Sequence, residues 1–263
     1  MRVSIINCVS TAAEMMRFSD ESLFLHAQYD DFDYVIVTWL ASPKVERYLE
    51  ELPEIALEYC PNCKIHVVKH ETNPDVGFVP NLRAMMNDGF DYGFELNDFA
   101  GLINTDCYFA GFWLDGLVKN VHENRVINSL HITAASPPQP VTGIITENLG
   151  EPLPNVFNVV RFHELWREHF DPASLILASE LNGPSGYREC ATMPYLFHRK
   201  YWERCGPWEL QCIHGQSPDV RFFDRVARAG AEFALTKSSV VYHHEAVERR
   251  GKRPHGAEYL PEE

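Results

Sequence analysis

The chain has 263 residues, 45% hydrophobic and 23% charged, with 15 glycines and 17 prolines, which excludes collagen-like, low-complexity and disordered chains. Lysine and arginine number 23 against 37 aspartates and glutamates, a formal net charge of −14. That surface repels phosphate backbones and anionic lipid head groups, so general nucleic-acid binding is disfavoured and an anionic ligand needs a local basic cluster or a metal ion.

The N-terminal half alternates strand and helix signals. Val3 to Val9 is a β-rich run, and Ser19 to Tyr29 has helical spacing. Tyr34 to Leu40 is near-continuously apolar, as buried parallel strands are. Pro43 to Tyr59 follows as an acidic amphipathic helix, entered through Ser42 with a proline in its first turn. Cys60 and Cys63 flank Pro61-Asn62, a helix-to-strand turn that carries two thiols without a second pair for zinc. Lys64 to His70 reads as a third strand and Asn81 to Asp88 as a short helix. Either Tyr92 to Asn97 or Ala100 to Asn104 supplies a fourth strand. Such alternation demands crossover connections and a parallel sheet with helices on its faces, an α/β/α sandwich that takes ligands beyond the carboxyl ends of its strands.

The second half is less regular. Pro137 to Pro154 and Asn182 to Glu189 read as loops, Phe162 to Phe170 and Ser217 to Ala229 as helices. Thr192 to His198 reads as a strand and Phe233 to His243 as one or two strands. No run approaches the roughly 18 to 20 apolar residues of a membrane span, and the first apolar run is too short for a signal peptide. Seven cysteines without a secretion signal are expected to be reduced thiols in a cytoplasmic protein.

Three stretches could carry chemistry. Asn104-Thr105-Asp106 follows the apolar run FAGLI, where a carboxylate at a strand's carboxyl end faces the ligand crevice and suits a hard divalent cation; equally, Asp106 could cap a helix. Asp219, after Ser217-Pro218, sits in the first turn of a helix, where an acid also favours the helix dipole. Val241-Tyr242-His243-His244 runs an apolar strand into two histidines that alternation turns to opposite faces. Beyond it, Arg249, Arg250, Lys252 and Arg253 form the strongest basic cluster of the chain, a solvated tail or a diphosphate clamp.

In this order the motifs resemble those of a GT-A glycosyltransferase, most closely the inverting family 2 type, from the first strand to about residue 253. Ser10 and Thr11 stand where such enzymes begin to hold the nucleotide, and Asn73-x-x-x-Gly77 with Asn81 is similar to their N-x-G … R-N segment. Asn104-Thr105-Asp106 stands at the metal-binding D-x-D position, with an amide in place of the first acid. Cys205-Gly206-Pro207-Trp208-Glu209 is similar to the acceptor-side G-G-[FW]-[DE] segment. Ser217-Pro218-Asp219 is similar to the E-D that carries the catalytic base, and Val241-Tyr242-His243 to the late V-x-H that adds a metal ligand. Thr38-Trp39 replaces the acidic pair that grips base and ribose, and Pro80 stands where the arginine before Asn81 belongs.

The resemblance implies one GT-A domain over 1–263, with a nucleotide-sugar-binding half over 1–106 and an acceptor-binding half over 107–263, whose segment from about 245 is flexible. It implies transfer, with inversion, of a sugar from a nucleotide diphosphate sugar to a hydroxyl acceptor of unknown identity: a glycan, a lipid-linked sugar, a protein or a modified base. Asp106 and His243 would hold Mn2+ or Mg2+, and Asp219 would be the base. Ser10, Thr11, Trp39, Asn81, Asn104, Arg249, Arg250 and Lys252 would bind the donor, and Trp208 and Glu209 the substrate, Trp208 as an apolar platform for a sugar ring. The alternative is a binding protein of the same fold without turnover.

Overall fold

The computed structural model describes residues 1–9, 13–73, 75, 77–134, 143–151, 155–178, 193–212 and 218–244. In chain order the elements are β1 (Val3–Val9), α1 (Ala13–His26), β2 (Phe32–Thr38), α2 (Pro43–Tyr59), β3 (Lys64–Lys69), α3 (Phe78–Leu96), β4 (Phe99–Ile103) and β5 (Cys107–Phe109). Then come α4 (Trp113–Asn120), β6 (Arg125–Thr133), β7 (Ile144–Thr146), α5 (Val159–His169), β8 (Leu175–Leu177), β9 (Tyr195–His198), α6 (Arg199–Cys205), α7 (Pro218–Arg228) and β10 (Glu232–His243).

One sheet runs through both halves of the chain in the order β3-β2-β1-β4-β9-β6-β10-β5, with β7 on β6 and β8 on β10. The pairs β1–β2, β2–β3, β1–β4, β6–β10 and β6–β7 are parallel. β9 is antiparallel to both its neighbours, and β5 and β8 are antiparallel to β10. The sheet is therefore mostly parallel, and Val9, Thr38, Ile103, Thr133 and His243 end their strands at one edge.

Alternation along the strands feeds two cores. Ile5, Tyr34 and Ile36 point to α1, α2 and α4, where Leu23, Leu52 and Trp113 are wholly buried. Ile6, Val35 and Val37 point the other way, to Phe90 of α3, Phe162 of α5, Trp202 of α6 and Phe222 of α7. Fully burying an aromatic or aliphatic side chain of this size contributes about 1.5–3 kcal/mol, so this second, ring-rich layer carries much of the stability. Among the described residues no helix is long and apolar enough to cross a membrane.

α2 has the bounds its signals dictate: Ser42 Oγ accepts the Val45 amide at 3.3 Å and Pro43 fills the first turn. Cys60 and Cys63 straddle the turn that follows, the Cys60 thiol against the Phe24 carbonyl at 3.4 Å. Two helices differ from expectation. α1 begins at Ala13 and ends at His26, because the amides of Gln28 and Tyr29 turn away to the Asp115 carboxylate, each at 3.1 Å. α3 runs on through Tyr92 to Leu96, so the fourth strand is Phe99–Ile103 alone. Gly89 and Gly93 form the face of α3 that lies on β1. A Cβ at Gly89 would stand 2.6 Å from Ile6 Cγ2, and one at Gly93 3.2 Å from Ser4 Cβ. Phe233 to His243 forms a single strand whose register on β6 shifts between Thr236 and Val240.

Under α1 lies a buried acid. Asp20 accepts from Tyr34 Oη at 2.5 Å and from Tyr48 Oη at 3.1 Å, and Tyr34 Oη in turn accepts from Asn7 Nδ2 at 2.7 Å. Burial pushes the Asp20 carboxyl up to about 7, against the lowering effect of the two tyrosine hydrogen bonds. Between about pH 4 and pH 7 the folded chain thus holds a proton that the unfolded chain has lost. This contribution is fully present below about pH 4 and lost as the pH rises through 7. Unfolding by urea should show wild-type stability falling by about 2–3 kcal/mol more than that of Asp20→Asn between pH 5 and pH 8.

Candidate active site

The site is built where β4 ends. The chain turns through residues 104–106, with the Cys107 amide donating to the Asn104 carbonyl at 3.3 Å, and returns as β5 against the end of β10. The register sets Cys107 opposite His243, and the His244 amide donates to the Asp106 carbonyl at 3.0 Å. Asp106 Oδ1 therefore lies 3.2 Å from His243 Nε2, and the Asn104 side-chain amide lies 3.1 Å from the same nitrogen. Both ends of the pair are only partly open, at 14% for the Asp106 side chain and 22% for that of His243. Burial alone would raise the Asp106 carboxyl, but the hydrogen bond and charge of His243, with the charge of His244, hold it below the usual carboxylate range.

These groups fit a divalent cation. His243 Nε2 cannot donate to Asp106 and accept from Asn104 at once, whereas a cation takes its lone pair together with that of Asp106 Oδ1. With its amide turned over, Asn104 adds an oxygen. A separation of 3.2 Å matches the roughly 3 Å edge between neighbouring ligands on an ion with bonds of about 2.1 Å. Asp106, Cys107 and His243 each offer one ligand atom, all within 4.8 Å of one another.

The neighbouring His244 has another place. Its Nδ1 lies 3.2 Å from the Gly150 carbonyl, and its ring packs on Tyr242, Phe157 and Phe18 at centroid distances of 4.6, 5.1 and 6.3 Å. Burial lowers it to about 4, outweighing the Asp106 charge and the Gly150 hydrogen bond. It is a core group on the opposite face from His243.

No family model matches the chain, and no curated protein matches it in sequence. In three dimensions it is similar to the 1–349 portion of S. aureus TarS, with a TM-score of 0.60 and 11% identity over 93% of this chain and 60% of that one. It is also similar to the mannosyltransferase PcManGT from Pyrobaculum calidifontis, solved with GDP-Man and Mn2+, at a TM-score of 0.55 and 13% identity over 95% of this chain and 58% of that one. GalNAc-T7, solved with UDP, GalNAc and Mn2+, gives 0.54 and 13% over 92% and 43%. The chain has the GT-A fold of these glycosyltransferases. It spans about 60% of the TarS portion it matches.

Within the GT-A frame the other residues singled out in the sequence fall into separate groups. Ser10, Thr11, Arg249, Arg250 and Lys252 lie outside the described residues. Trp39 is 4% exposed, with Nε1 donating to Thr72 Oγ1 at 2.7 Å, so its ring is part of a wall and offers no open stacking face to a nucleobase. Asn81 is also buried and uses its amide on the loop that leads into its helix. It accepts the Asn73 amide at 2.8 Å and donates to the carbonyls of Asn73 and Gly77, each at 3.1 Å. It shapes the β3–α3 connection instead of reaching a ligand. Arg83, two positions further along α3, donates to the Leu210 carbonyl at 2.8 Å.

Trp208 is not an apolar platform. It is 5% exposed, its ring in the cluster with Phe90 and Phe222, because reciprocal 3.0 Å hydrogen bonds to Asn87 pin its backbone to α3. Glu209 beside it binds Arg221 and Arg225 of α7 through Oε1, while its buried Oε2 has no partner among the described residues. Asp219 opens the same helix, and its charge, after burial, helps raise the phenol of Tyr195. Sequence reasoning passed over His70, which links Trp39 and Asn81 and pairs with Asp88 at 2.6 Å, and Cys107, whose only signal was its place after Asp106.

The contrast between the paired histidines is measurable. His244→Ala should lower unfolding free energy by about 1–3 kcal/mol through the cavity it leaves. Its Mn2+ affinity should fall far less than that of His243→Ala in parallel calorimetric titrations.

Proposed function

We propose that the chain transfers a sugar from a nucleotide diphosphate sugar to a hydroxyl acceptor with a divalent cation held by Asp106 and His243. The observation that carries this is the carboxylate–imidazole pair at the carboxyl edge of a GT-A sheet. The ligands of the similar structures support it: GDP-Man and Mn2+ in one, UDP, GalNAc and Mn2+ in another, and UDP in a TarS complex.

Asp106 supplies a negative oxygen and His243 a neutral nitrogen, and Asn104 holds the imidazole edge while its amide remains able to hydrogen-bond a ribose. When bound, the cation offsets charge developing on the leaving diphosphate. Between Mn2+ and Mg2+ the donor set favours Mn2+, since Mg2+ strongly prefers an all-oxygen shell and this one contains imidazole. In a chain of net charge −14, Arg249, Arg250 and Lys252 are the local cations that would meet the diphosphate.

Asp219 is the proposed base. The acceptor oxygen attacks the anomeric carbon, its proton passes to the Asp219 carboxylate, and the bond from that carbon to the diphosphate oxygen breaks with inversion. Glu209 stands on the acceptor side of this reading, its carboxylate held below the usual range by its own backbone amide, Arg225 and Arg221 against the opposing effect of burial. The general base is worth about 10² to 10⁴ in rate, whereas a first-turn acid is worth only about 0.3–1 kcal/mol of stability.

The test is a panel of nucleotide sugars with Mn2+, followed by release of nucleoside diphosphate in the presence of sugar and hydroxyl acceptors. Asp219→Asn should keep the fold and donor affinity and lose at least about a hundredfold in transfer. Transfer at near wild-type rate in that variant would remove the inverting mechanism. Donor binding without turnover in the wild type would instead support a binding protein of the same fold.

A further inference from the structure

The sugar transfer proposed above uses neither His70 nor Asp88. His70 follows the last residue of β3, and its amide donates to the Thr38 carbonyl at 2.8 Å, so it stands at the carboxyl edge of the sheet. Its side chain is only 6% exposed and lies between two acceptors. Nδ1 is 2.6 Å from the Asp88 carboxylate, and Nε2 is 3.4 Å from Asn81 Oδ1. Both partners belong to α3, two helical turns apart, and so share one face of it.

Asn81 cannot turn over to suit a neutral ring. Its Oδ1 accepts the Asn73 amide at 2.8 Å, and its Nδ2 donates to the carbonyls of Asn73 and Gly77, each at 3.1 Å. Three backbone groups therefore fix which end of the amide faces His70. The Asp88 carboxylate likewise only accepts. A neutral imidazole would satisfy one of these acceptors and set a lone pair against the other, whereas an imidazolium carries an N–H for each. Gly77, the N-cap of α3, brings no side chain to the helix start, so the loop from Asn73 is held through Asn81 and, behind it, His70. The Trp39 ring stands at 81° to the imidazole, with 6.0 Å between centroids, and donates to Thr72 beside it. From β1 the Cys8 thiol, raised by burial and by the charge of Asp88, faces the same pair, while Lys69 and Glu71 on either side of His70 are exposed.

We propose that His70 is a positioning residue for the nucleotide: doubly protonated and bonded to both Asp88 and Asn81, it holds the β3–α3 connection at the carboxyl edge of the sheet. This rests on the reading that a nucleotide diphosphate sugar binds at that edge, and it adds a pH-dependent grip on the nucleotide. The holding arrangement needs the second ring proton. Its contribution to affinity is therefore present at the lower pH and lost as the pH rises and that proton leaves.

The test titrates the full chain calorimetrically with nucleoside diphosphates, UDP and GDP first, in saturating Mn2+ at about pH 5.5 and about pH 8. His70→Gln is run beside the wild type, because its amide donates to Asn81 without titrating. The ratio of the two affinities cancels every other titration, that of His243 included. The expected result is a ratio within about twofold of one at the lower pH, and a wild type at least about threefold weaker than His70→Gln at the higher, the worth of one hydrogen bond. Nitrogen-15 spectra of the ring give an independent readout: both His70 nitrogens should carry hydrogens at the lower pH, and the Asn81 side-chain signals should shift as one is lost. A ring with a single N–H at about pH 5.5 would overturn the proposal. If His70→Gln does not fold, the wild-type ring spectra decide. Nucleotide binding whose ratio is the same at both pH values would overturn this inference and leave the proposed sugar transfer intact. Absence of binding by every nucleoside diphosphate in the wild type would overturn both.

Discussion

The sheet is joined across its middle by one short antiparallel strand, and that strand fits because residue 101 has no side chain. β9 lies between β4 and β6, and a Cβ on Gly101 would stand 1.8 Å from the Tyr195 carbonyl oxygen. Backbone cannot give way as a flexible side chain can, so any other residue there would force β9 off β4. With β9 seated, β6 and then β10 fall into line with the first four strands. The turn after β4 and the end of β10, 137 positions apart between Asp106 and His243, then meet at one edge. Everything at the candidate active site depends on that closure.

The same carboxyl group has opposite character at two depths of the fold. Asp20 is sealed among tyrosine hydroxyls, neutral donors that lower it too little to offset burial, and it is pushed up to about 7. Asp106 has an imidazole 3.2 Å away and another histidine next in the chain, and it is held down. An acid of the first kind fills space and ties helix to sheet. One of the second kind is ionised where solvent reaches it and can meet a cation, which an acidic chain needs before it can accept a diphosphate.

Much of the first half was legible because its signals are local. Ser42-Pro43 starts a helix, the apolar run from Tyr34 makes a buried strand, and a carboxylate after FAGLI marks a strand's carboxyl end. What escaped depends on partners distant in sequence. Gly89 and Gly93 carry no local sign that β1 lies on them. β6 carries Asn128, Ser129, His131 and Thr133, all four buried, with Ser129 and Ser239 hydroxyls meeting at 2.6 Å across the β6–β10 pair. Trp208 looked like a sugar platform because sequence does not report exposure, and Asn81 like a ligand because it does not report that an amide is already engaged. Cys107 was hidden by the strand it begins, three residues long and too short to show a period.

That Asp106 and His243 act as a single cation site is tested most directly by a double-substitution cycle on Mn2+ affinity. Wild type, Asp106→Asn, His243→Gln and the double variant would be titrated calorimetrically at one pH. Two ligands of one ion should give losses that do not add, with a coupling of about 1–3 kcal/mol and a double variant little worse than the poorer single one. Losses that simply add, or a single variant that binds Mn2+ as well as the wild type, would contradict a shared site.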